Sequence, residues 1–288
     1  MRRVRRGAMF VASLVLLIVA WEAYKAVGPE HGGKVLGWRL LPRTDARSMP
    51  HFGDMVSRLF DPAQRGSSEK NWRVVAEATW FSFRLSLTGF VIGVTAGLLL
   101  AVVMTRFKPV ERALLPYLVL SQTVPLIALA PLVAQWGGQV HIGGWEWPRW
   151  MSVAVLGAFL SFFPVAVGGL RGLSSAEPAA LELMDSLAAP WHKTLWKLRF
   201  PAAVPFLIPA LKLAAAASVI GVVVAEISTT LKGGLGRLII EYARQATSDP
   251  AIVYTALFGT AVLGLAMAGL VALLDAWLMR NRPKEAIT

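Results

Sequence analysis

The sequence predicts an all-α membrane protein with six transmembrane helices. Its 288 residues are 56% hydrophobic and only 16% charged, whereas an ordinary soluble domain is about 45–50% apolar and about 25% charged. Long apolar runs alternate with polar segments that carry most of the basic residues. The runs lack the two-residue alternation of a membrane β-barrel, and they are too continuous for amphipathic surface helices.

Six apolar stretches account for the predicted helices. A helix that crosses a bilayer needs about 20 mostly apolar residues, and the candidates are 9–27, 81–104, 113–136, 150–170, 202–225 and 252–279. The first follows a basic segment, as a cleaved signal peptide would, but Trp21, Glu22 and Tyr24 stand where small residues would mark a cleavage site. We therefore expect this stretch to remain as a membrane helix.

The second span carries a regular glycine pattern. Gly89, Gly93 and Gly97 recur at four-residue spacing, which places them on one face of a helix. Small residues at that spacing let a neighbouring membrane helix approach closely. We expect them to serve packing and not chemistry.

The spans divide the chain into three parts. Residues 1–78 form an N-terminal transmembrane helix and a polar outer connector, residues 79–279 form a core of five transmembrane helices, and residues 280–288 form a tail. With both ends on the cytoplasmic side, the inner segments hold 14 Lys and Arg and the outer segments hold 12. Eight of the outer ones lie in the long connector, and long segments count less in orientation. Both termini are therefore predicted to be cytoplasmic.

Composition and missing motifs exclude several functional classes. The net charge of +12 is spread between apolar runs, whereas nucleic-acid binders cluster Lys and Arg on one polar face. The chain has no Cys, which removes thiol catalysis and Cys-based zinc sites. It also lacks the phosphate-binding Gly-x-x-x-x-Gly-Lys-Ser/Thr loop, Gly-x-Ser-x-Gly and His-Glu-x-x-His. We therefore predict no enzyme activity, no cofactor, no metal site and no nucleic-acid partner.

The stretch from residue 171 to 205 is the most informative polar segment. A capping-box pattern, Ser174 with Glu177 three residues later, predicts the start of a helix. Ala188-Ala189-Pro190 breaks this helix, and a second short helix covers 191–199. A short two-faced helix between breaks suits docking into a groove on another protein, but it also suits lying on a membrane surface. The residues alone leave both interpretations open.

The same segment resembles the permease subunits of binding-protein-dependent ABC importers. Their cytoplasmic loop has the form Glu-Ala-Ala, three residues, Gly, nine residues, Ile-x-Leu-Pro. Aligning Pro201 with the final Pro places Glu182 at the Glu position and Ala188 at the Gly position, while Leu183 and Met184 replace Ala-Ala. Residues 122–137 and 220–236 further resemble the branch that serves nitrate, taurine, alkanesulfonates and pyrimidine-type precursors.

The resemblance implies a fold, a function and partners. The fold is that of a type I ABC importer permease, with a coupling loop (residues 171–201) between the fourth and fifth helices. The function is passage of a small polar solute across the bacterial inner membrane, and an ion-coupled carrier without an ATPase is the alternative. The implied partners are two ATPase subunits, a second copy of the permease, a periplasmic or lipid-anchored solute-binding protein and membrane lipid. The implied ATPase-contacting residues are Glu182, Leu183, Met184, Asp185, Ala188, Ala189, Pro190, Trp191 and Pro201.

Polar groups and prolines inside the predicted spans or at their ends suggest a translocation path. Polar side chains at membrane depth usually face a bundle interior or a cavity, and prolines free backbone carbonyls that are tolerated along a cavity. The candidates are Gln122, Thr123, Pro125, Pro131, Gln135, Ser218 and Glu226. For Ser218 and Thr123, a hydrogen bond between helices is an equal alternative. Lys212 either snorkels towards the interface or neutralises an anion.

Overall fold

The computed structural model describes residues 2–278 apart from 36, 37, 65, 67 and 230; the predicted tail, 280–288, lies outside them. The helices are α1 (Arg2–Val27), α2 (Phe52–Ser57), α3 (Asn71–Arg106), α4 (Lys108–Ser121), α5 (Leu126–Gly137), α6 (Arg149–Leu173), α7 (Pro178–Ser186), α8 (Trp191–Thr194), α9 (Phe200–Thr229), α10 (Leu235–Gln245) and α11 (Ala251–Leu278). A π-helical turn (Leu195–Arg199) joins α8 to α9. The strands are β1 (Gly33–Val35), β2 (Trp38–Leu41), β3 (His141–Ile142) and β4 (Trp145–Glu146).

Four helical segments of the described chain are long and apolar enough to cross a membrane. They are α3, α6, the continuous run Trp191–Thr229 and α11, and they confirm four of the predicted spans as helices. The first predicted span lies within α1, where many of the described apolar side chains, including Leu16 and Leu17, are exposed. That α1 crosses a membrane stays a prediction, as does the total of six.

The third predicted span is two helices, not one. The axes of α4 and α5 differ by 102° across a break of a few residues, so the pair counts as a fifth span only if both helices belong to one crossing. Pro125 explains the break, because it has no backbone N–H and its ring disfavours helical geometry at Val124. Gln122 N–H donates to the carbonyl of Val119 at 3.1 Å and closes the end of α4.

Two short antiparallel hairpins depart from the all-helical prediction. The first pairs β1 with β2, and the second pairs His141 with Glu146 and Ile142 with Trp145. Gly143 and Gly144, with φ of 55° and 85°, form the two-residue turn of the second hairpin. Adjacent positive φ angles are what such a turn requires, and glycine adopts them without strain.

The described residues form two compact units, one from 2–77 with 238–259 and the other from 78–237 with 260–278. In the first unit, buried Asn71 donates to Thr255 Oγ1 at 2.9 Å and accepts from the Tyr242 hydroxyl. Burial raises the pKa of Tyr242 to about 12, so its hydroxyl remains a neutral donor. Arg58 pairs with Asp249 at 2.5 Å. One of the eight basic connector residues thus has a structural role.

The glycine face of α3 packs directly against α6 in the second unit, as predicted. A Cβ atom at Gly89 would lie 2.7 Å from the carbonyl oxygen of Ala154, and one at Gly97 would lie 2.6 Å from that of Phe162. Gly93, between them, leaves even less room. The contacts advance along both helices in the same direction, so α3 and α6 run parallel. The expectation that these glycines permit close packing is confirmed.

Candidate functional site

The predicted coupling segment forms an exposed helix followed by an anchored one. No residue of α7 is buried. Leu183 is 59% exposed and Leu187, just after the helix, is 69% exposed. Glu182 and Asp185 are exposed beside them. The segment therefore presents two large apolar side chains and two carboxylates outward, which is the composition of a surface that a partner could cover.

The start of α7 differs from the predicted capping box. The Ser174 N–H still donates to the carbonyl of Leu170 at 3.1 Å, so this serine ends α6. Glu177 is the residue that precedes the first turn of α7, and its side chain makes no capping hydrogen bond. Pro178 explains the shift, because its ring favours extended backbone at the preceding residue and suits the first helical position.

The turn after α7 has left-handed backbone at the position that the resemblance aligns with glycine, although alanine occupies it. Ala188 has φ of 49°. Its N–H donates to the carbonyl of Asp185, and the N–H of Ala189 donates to that of Met184, both at 2.9 Å. This pair of bonds is the Schellman arrangement that ends many helices. Pro190 then precedes the first turn of α8.

Ala188→Gly is expected to stabilise this turn by about 1 kcal/mol, because the left-handed conformation costs a residue with a Cβ about 1–2 kcal/mol. Amide hydrogen exchange at Ala189 should slow about fivefold. Ala180→Gly is the matched control, since it places glycine in helical backbone, where it destabilises, and exchange in α7 should become faster. Equal exchange in the wild type and Ala188→Gly would contradict the strained turn.

The second leg of the segment is fixed to the helical body. The guanidinium carbon of Arg106 lies 5.4 Å from the centre of the Trp191 ring. Arg199 donates to the carbonyl of Leu173 at 2.9 Å. Leu195 is buried in a cluster that includes Leu173. Because α8, the π-helical turn and α9 form one continuous run, a force on this leg would act directly on α9, whose early residues include Pro201.

Five of the predicted path residues lie on or beside the break between α4 and α5. Gln122, Thr123 and Pro125 occupy the break, while Pro131 and Gln135 lie on α5. The Thr123 hydroxyl donates to the carbonyl three residues earlier at 2.8 Å, within its own turn. Except for Gln122, which is half-buried, these side chains are exposed in the single chain.

The other two predicted path residues lie in a buried contact between α3 and α9. Ser218 donates to the carbonyl of Ser86 at 2.7 Å, a hydrogen bond between helices. Glu226 is fully buried. One of its oxygens accepts from Ser82 Oγ at 2.7 Å, and the other accepts from the Gly236 N–H at 2.8 Å. Both residues thus bond from α9 to α3, while α5 packs against the same part of α9 through Ala130, Val222 and Ala225.

Within the stretch 220–236, Glu226 on α9 contacts the glycine-rich turn 233–236 that follows the helix. Gly233 has φ of 97° and turns the chain back. A Cβ on Gly234 would overlap the Glu226 carboxylate, and Leu235 N–H donates to Ser82 Oγ at 2.9 Å. Ser82 therefore links α3 to both Glu226 and the turn. Nothing in the sequence identified it, because it lies 144 positions before Glu226.

Lys212 has a carboxylate partner in the structure. Its Nζ lies 2.9 Å from Asp275 Oδ2, and both side chains are partly exposed. The ion pair joins α9 to α11 and lowers the cost of a charge within a membrane-spanning helix.

The carboxylates and histidines offer no obvious metal site. Within the described residues, no group of three or more His, Cys, Asp or Glu side chains could hold a metal ion. The arrangement instead combines an exposed loop, a broken helix and a closely packed helical body.

Curated proteins with similar sequences are permeases. A formylaminopyrimidine transport permease protein, ThiX of Halalkalibacterium halodurans, is 35% identical over 48% of this chain and 52% of its own length. The aliphatic sulfonates permease SsuC of Bacillus subtilis, named as putative, is 29% identical over 67% of this chain and 66% of its own. The taurine permease TauC of Escherichia coli is 26% identical over 62% and 66%. The chain thus matches from about half to two thirds of these relatives' lengths.

A solved structure and a family profile agree with these relatives. The structure, an amino acid ABC transporter with histidines, has a TM-score of 0.56 and 18% identity, covering 72% of this chain and 94% of its own; it supports the fold alone. The profile of the binding-protein-dependent transport system inner membrane component matches residues 93–280. With four apolar spanning helices, this integral membrane protein belongs to that family of ABC importer permeases.

Proposed function

We propose that this chain works as a pair of copies, with two separate ATPase subunits, to move a small polar solute across the bacterial inner membrane. A periplasmic or lipid-anchored binding protein delivers the solute. Residues 171–201 form the loop that contacts the ATPase, and both termini lie in the cytoplasm. The relatives are named for formylaminopyrimidine, aliphatic sulfonates and taurine, which are small polar molecules of the proposed class.

The observation that carries the proposal is the exposed helix α7. Leu183 on α7 and Leu187 just after it have no cover in the single chain, while the next leg is anchored through Leu195 and Arg199. A partner that covers α7 can therefore transmit its movement to α9, because the second leg of the loop is already fixed to the helical body. The basic residues around it, including Lys193 and Lys197, fit a cytoplasmic location.

The pathway is proposed to run beside the break between α4 and α5. Polar side chains lie there at Gln122, Thr123 and Gln135, and backbone carbonyls are freed by Pro125 and Pro131. Both kinds of group suit a route for a polar solute. We also propose that Ser218 and Glu226 contribute to the path by holding α3 to α9 and not by contacting the solute, because their polar atoms bond within the protein.

Leu183→Arg is expected to weaken ATPase binding at least about tenfold, because a buried apolar contact becomes an unpaired charge. Glu182→Ala should weaken it less. The measurement is co-purification of the ATPase with the full chain in detergent. Phe60→Arg is the matched control, since Phe60 is as exposed as Leu183, at 59%, but lies in the connector; it should bind the ATPase normally.

Failure of the intact chain to bind an ATPase would reject the proposal. Solute uptake that continues without the ATPase and follows an ion gradient would instead support the ion-coupled carrier. Normal ATPase binding by Leu183→Arg would show that α7 does not contact the ATPase.

A further inference from the structure

A small pocket lies between α3 and α6 in the second unit. It has a volume of about 260 Å³ and is lined by Phe81, Arg84, Leu85, Thr88 and Trp150. Trp150 lies in the first turn of α6, while Leu173 ends the helix. At a rise of about 1.5 Å per residue, these ends are about 34 Å apart. Because α3 runs parallel to α6, the pocket is remote from α7: it lies beside the first turn of α6 and 10 to 17 residues into α3.

Arg84 supplies a positive charge to this pocket. Its guanidinium carbon lies 5.7 Å from the centre of the Phe81 ring, and the side chain is exposed. None of the ion pairs between described residues includes Arg84. Glu226, which bonds to Ser82 two residues before Arg84, has its carboxylate oxygens occupied by the Ser82 hydroxyl and the Gly236 N–H. Arg84 therefore carries a charge, on a membrane-spanning helix, with donors free for a ligand.

The rest of the pocket restricts what that ligand can be. Phe81, Leu85 and Trp150 provide apolar walls, and Leu85 is fixed in the core cluster beneath. The Thr88 hydroxyl is occupied, since it donates to the carbonyl of Arg84 at 2.8 Å. The volume is slightly below the range of about 300–1,000 Å³ typical of drug-sized ligands. The lining thus suits one small anion with an apolar body.

We propose that this pocket binds an oxyanion, such as a sulfonate, carboxylate or phosphate, through Arg84. A guanidinium presents several N–H donors in a planar fork that matches such groups, and a charge at membrane depth is less costly when it is paired. This inference rests on the proposed function, which places α7 on the cytoplasmic side and therefore this pocket towards the outer side. The oxyanion comes either from the transported solute or from a lipid headgroup, and the test separates these sources.

The test measures ligand binding to the full chain in nanodiscs, without any ATPase. In phosphatidylcholine discs, the probe is radiolabelled benzenesulfonate, with neutral benzenesulfonamide as the matched ligand and empty discs as background. In discs that also contain phosphatidylglycerol, native mass spectrometry measures the retained anionic lipid. Arg84→Gln removes the charge. Arg73→Gln is the matched control, because exposed Arg73 on the same helix also lies 5.7 Å from a ring, that of Trp72.

We expect Arg84→Gln, and not Arg73→Gln, to weaken binding about tenfold or more, the effect of losing charge-assisted hydrogen bonds. Sulfonate binding with this dependence, at least about tenfold tighter than the sulfonamide, identifies a solute site. Arg84-dependent retention of phosphatidylglycerol without sulfonate binding identifies a headgroup site. If neither ligand responds to Arg84→Gln, the inference is wrong. Because no ATPase takes part, that result leaves the ATPase-coupled function standing.

Discussion

Glu226→Ala is expected to destabilise the chain by about 3–5 kcal/mol. The substitution removes the acceptor for two buried donors, the Ser82 hydroxyl and the Gly236 N–H. Each unsatisfied buried donor costs about 1–3 kcal/mol. It also opens a cavity beneath Gly234, which packs against the carboxylate. The clamp between α3, α9 and the start of α10 would then be lost.

Thermal unfolding and detergent-titration unfolding of the purified chain provide the measurement. Glu226→Gln keeps the volume and one acceptor oxygen, so we expect it to lose less stability than Glu226→Ala. Glu182→Ala is the matched control, because Glu182 is exposed on α7 and surface substitutions of this kind change stability by less than about 0.5 kcal/mol. An unfolding midpoint for Glu226→Ala equal to that of Glu182→Ala would contradict the clamp.

Gly93→Leu is expected to separate α3 from α6 and to destabilise the chain by about 3 kcal/mol or more. A Cβ at Gly93 would overlap Ser161 Oγ and would lie 2.7 Å from the carbonyl oxygen of Ala158. The second neighbour is helical backbone, which cannot move aside as a side chain can. Gly93→Ala should have a smaller effect in the same direction, since even one methyl group meets this backbone.

Two glycines on α11 provide the control for the close-packing argument. A Cβ at Gly264 or Gly269 would meet no atom within 4 Å. Gly264→Ala and Gly269→Ala should therefore leave stability unchanged or raise it by up to about 1 kcal/mol, the helix preference of alanine over glycine. The same unfolding assay applies. Tolerance of Gly93→Leu comparable to that of Gly264→Ala would show that the α3–α6 contact is not tight.

The sequence predicted those features that depend on local pattern. Apolar length identified four spanning helices, and the four-residue spacing of Gly89, Gly93 and Gly97 identified a packing face. Pro125 indicated an interruption, but no local rule predicts a bend of 102°, since tertiary packing decides how the two halves diverge. The hairpin at Gly143 was not predicted, because strands of two residues each are too short to show a two-residue alternation.

Errors at the loop and the clamp have different causes. The capping-box pattern at Ser174 matched a general rule, but Pro178 set the start of α7 instead. Glu226 was recognised as a polar group within a span, whereas Ser82, its partner, lies too far along the chain for any spacing argument. The positive φ of Ala188 was likewise invisible from its residue type, because alanine rarely adopts that conformation.

The absence of Cys in the whole sequence allows the most direct test of the central claim, that α7 contacts an ATPase. A single cysteine is placed at Leu183 and, as control, at Phe60, which is equally exposed, at 59%. Each variant is labelled at its single cysteine with a maleimide-linked photocrosslinker, freed of excess reagent, combined with the ATPase and illuminated, so that the label reacts with any ATPase group within reach. The account predicts a permease–ATPase product from Leu183→Cys and none from Phe60→Cys. A bound ATPase that forms no product with Leu183→Cys, or forms it equally with Phe60→Cys, would contradict the account.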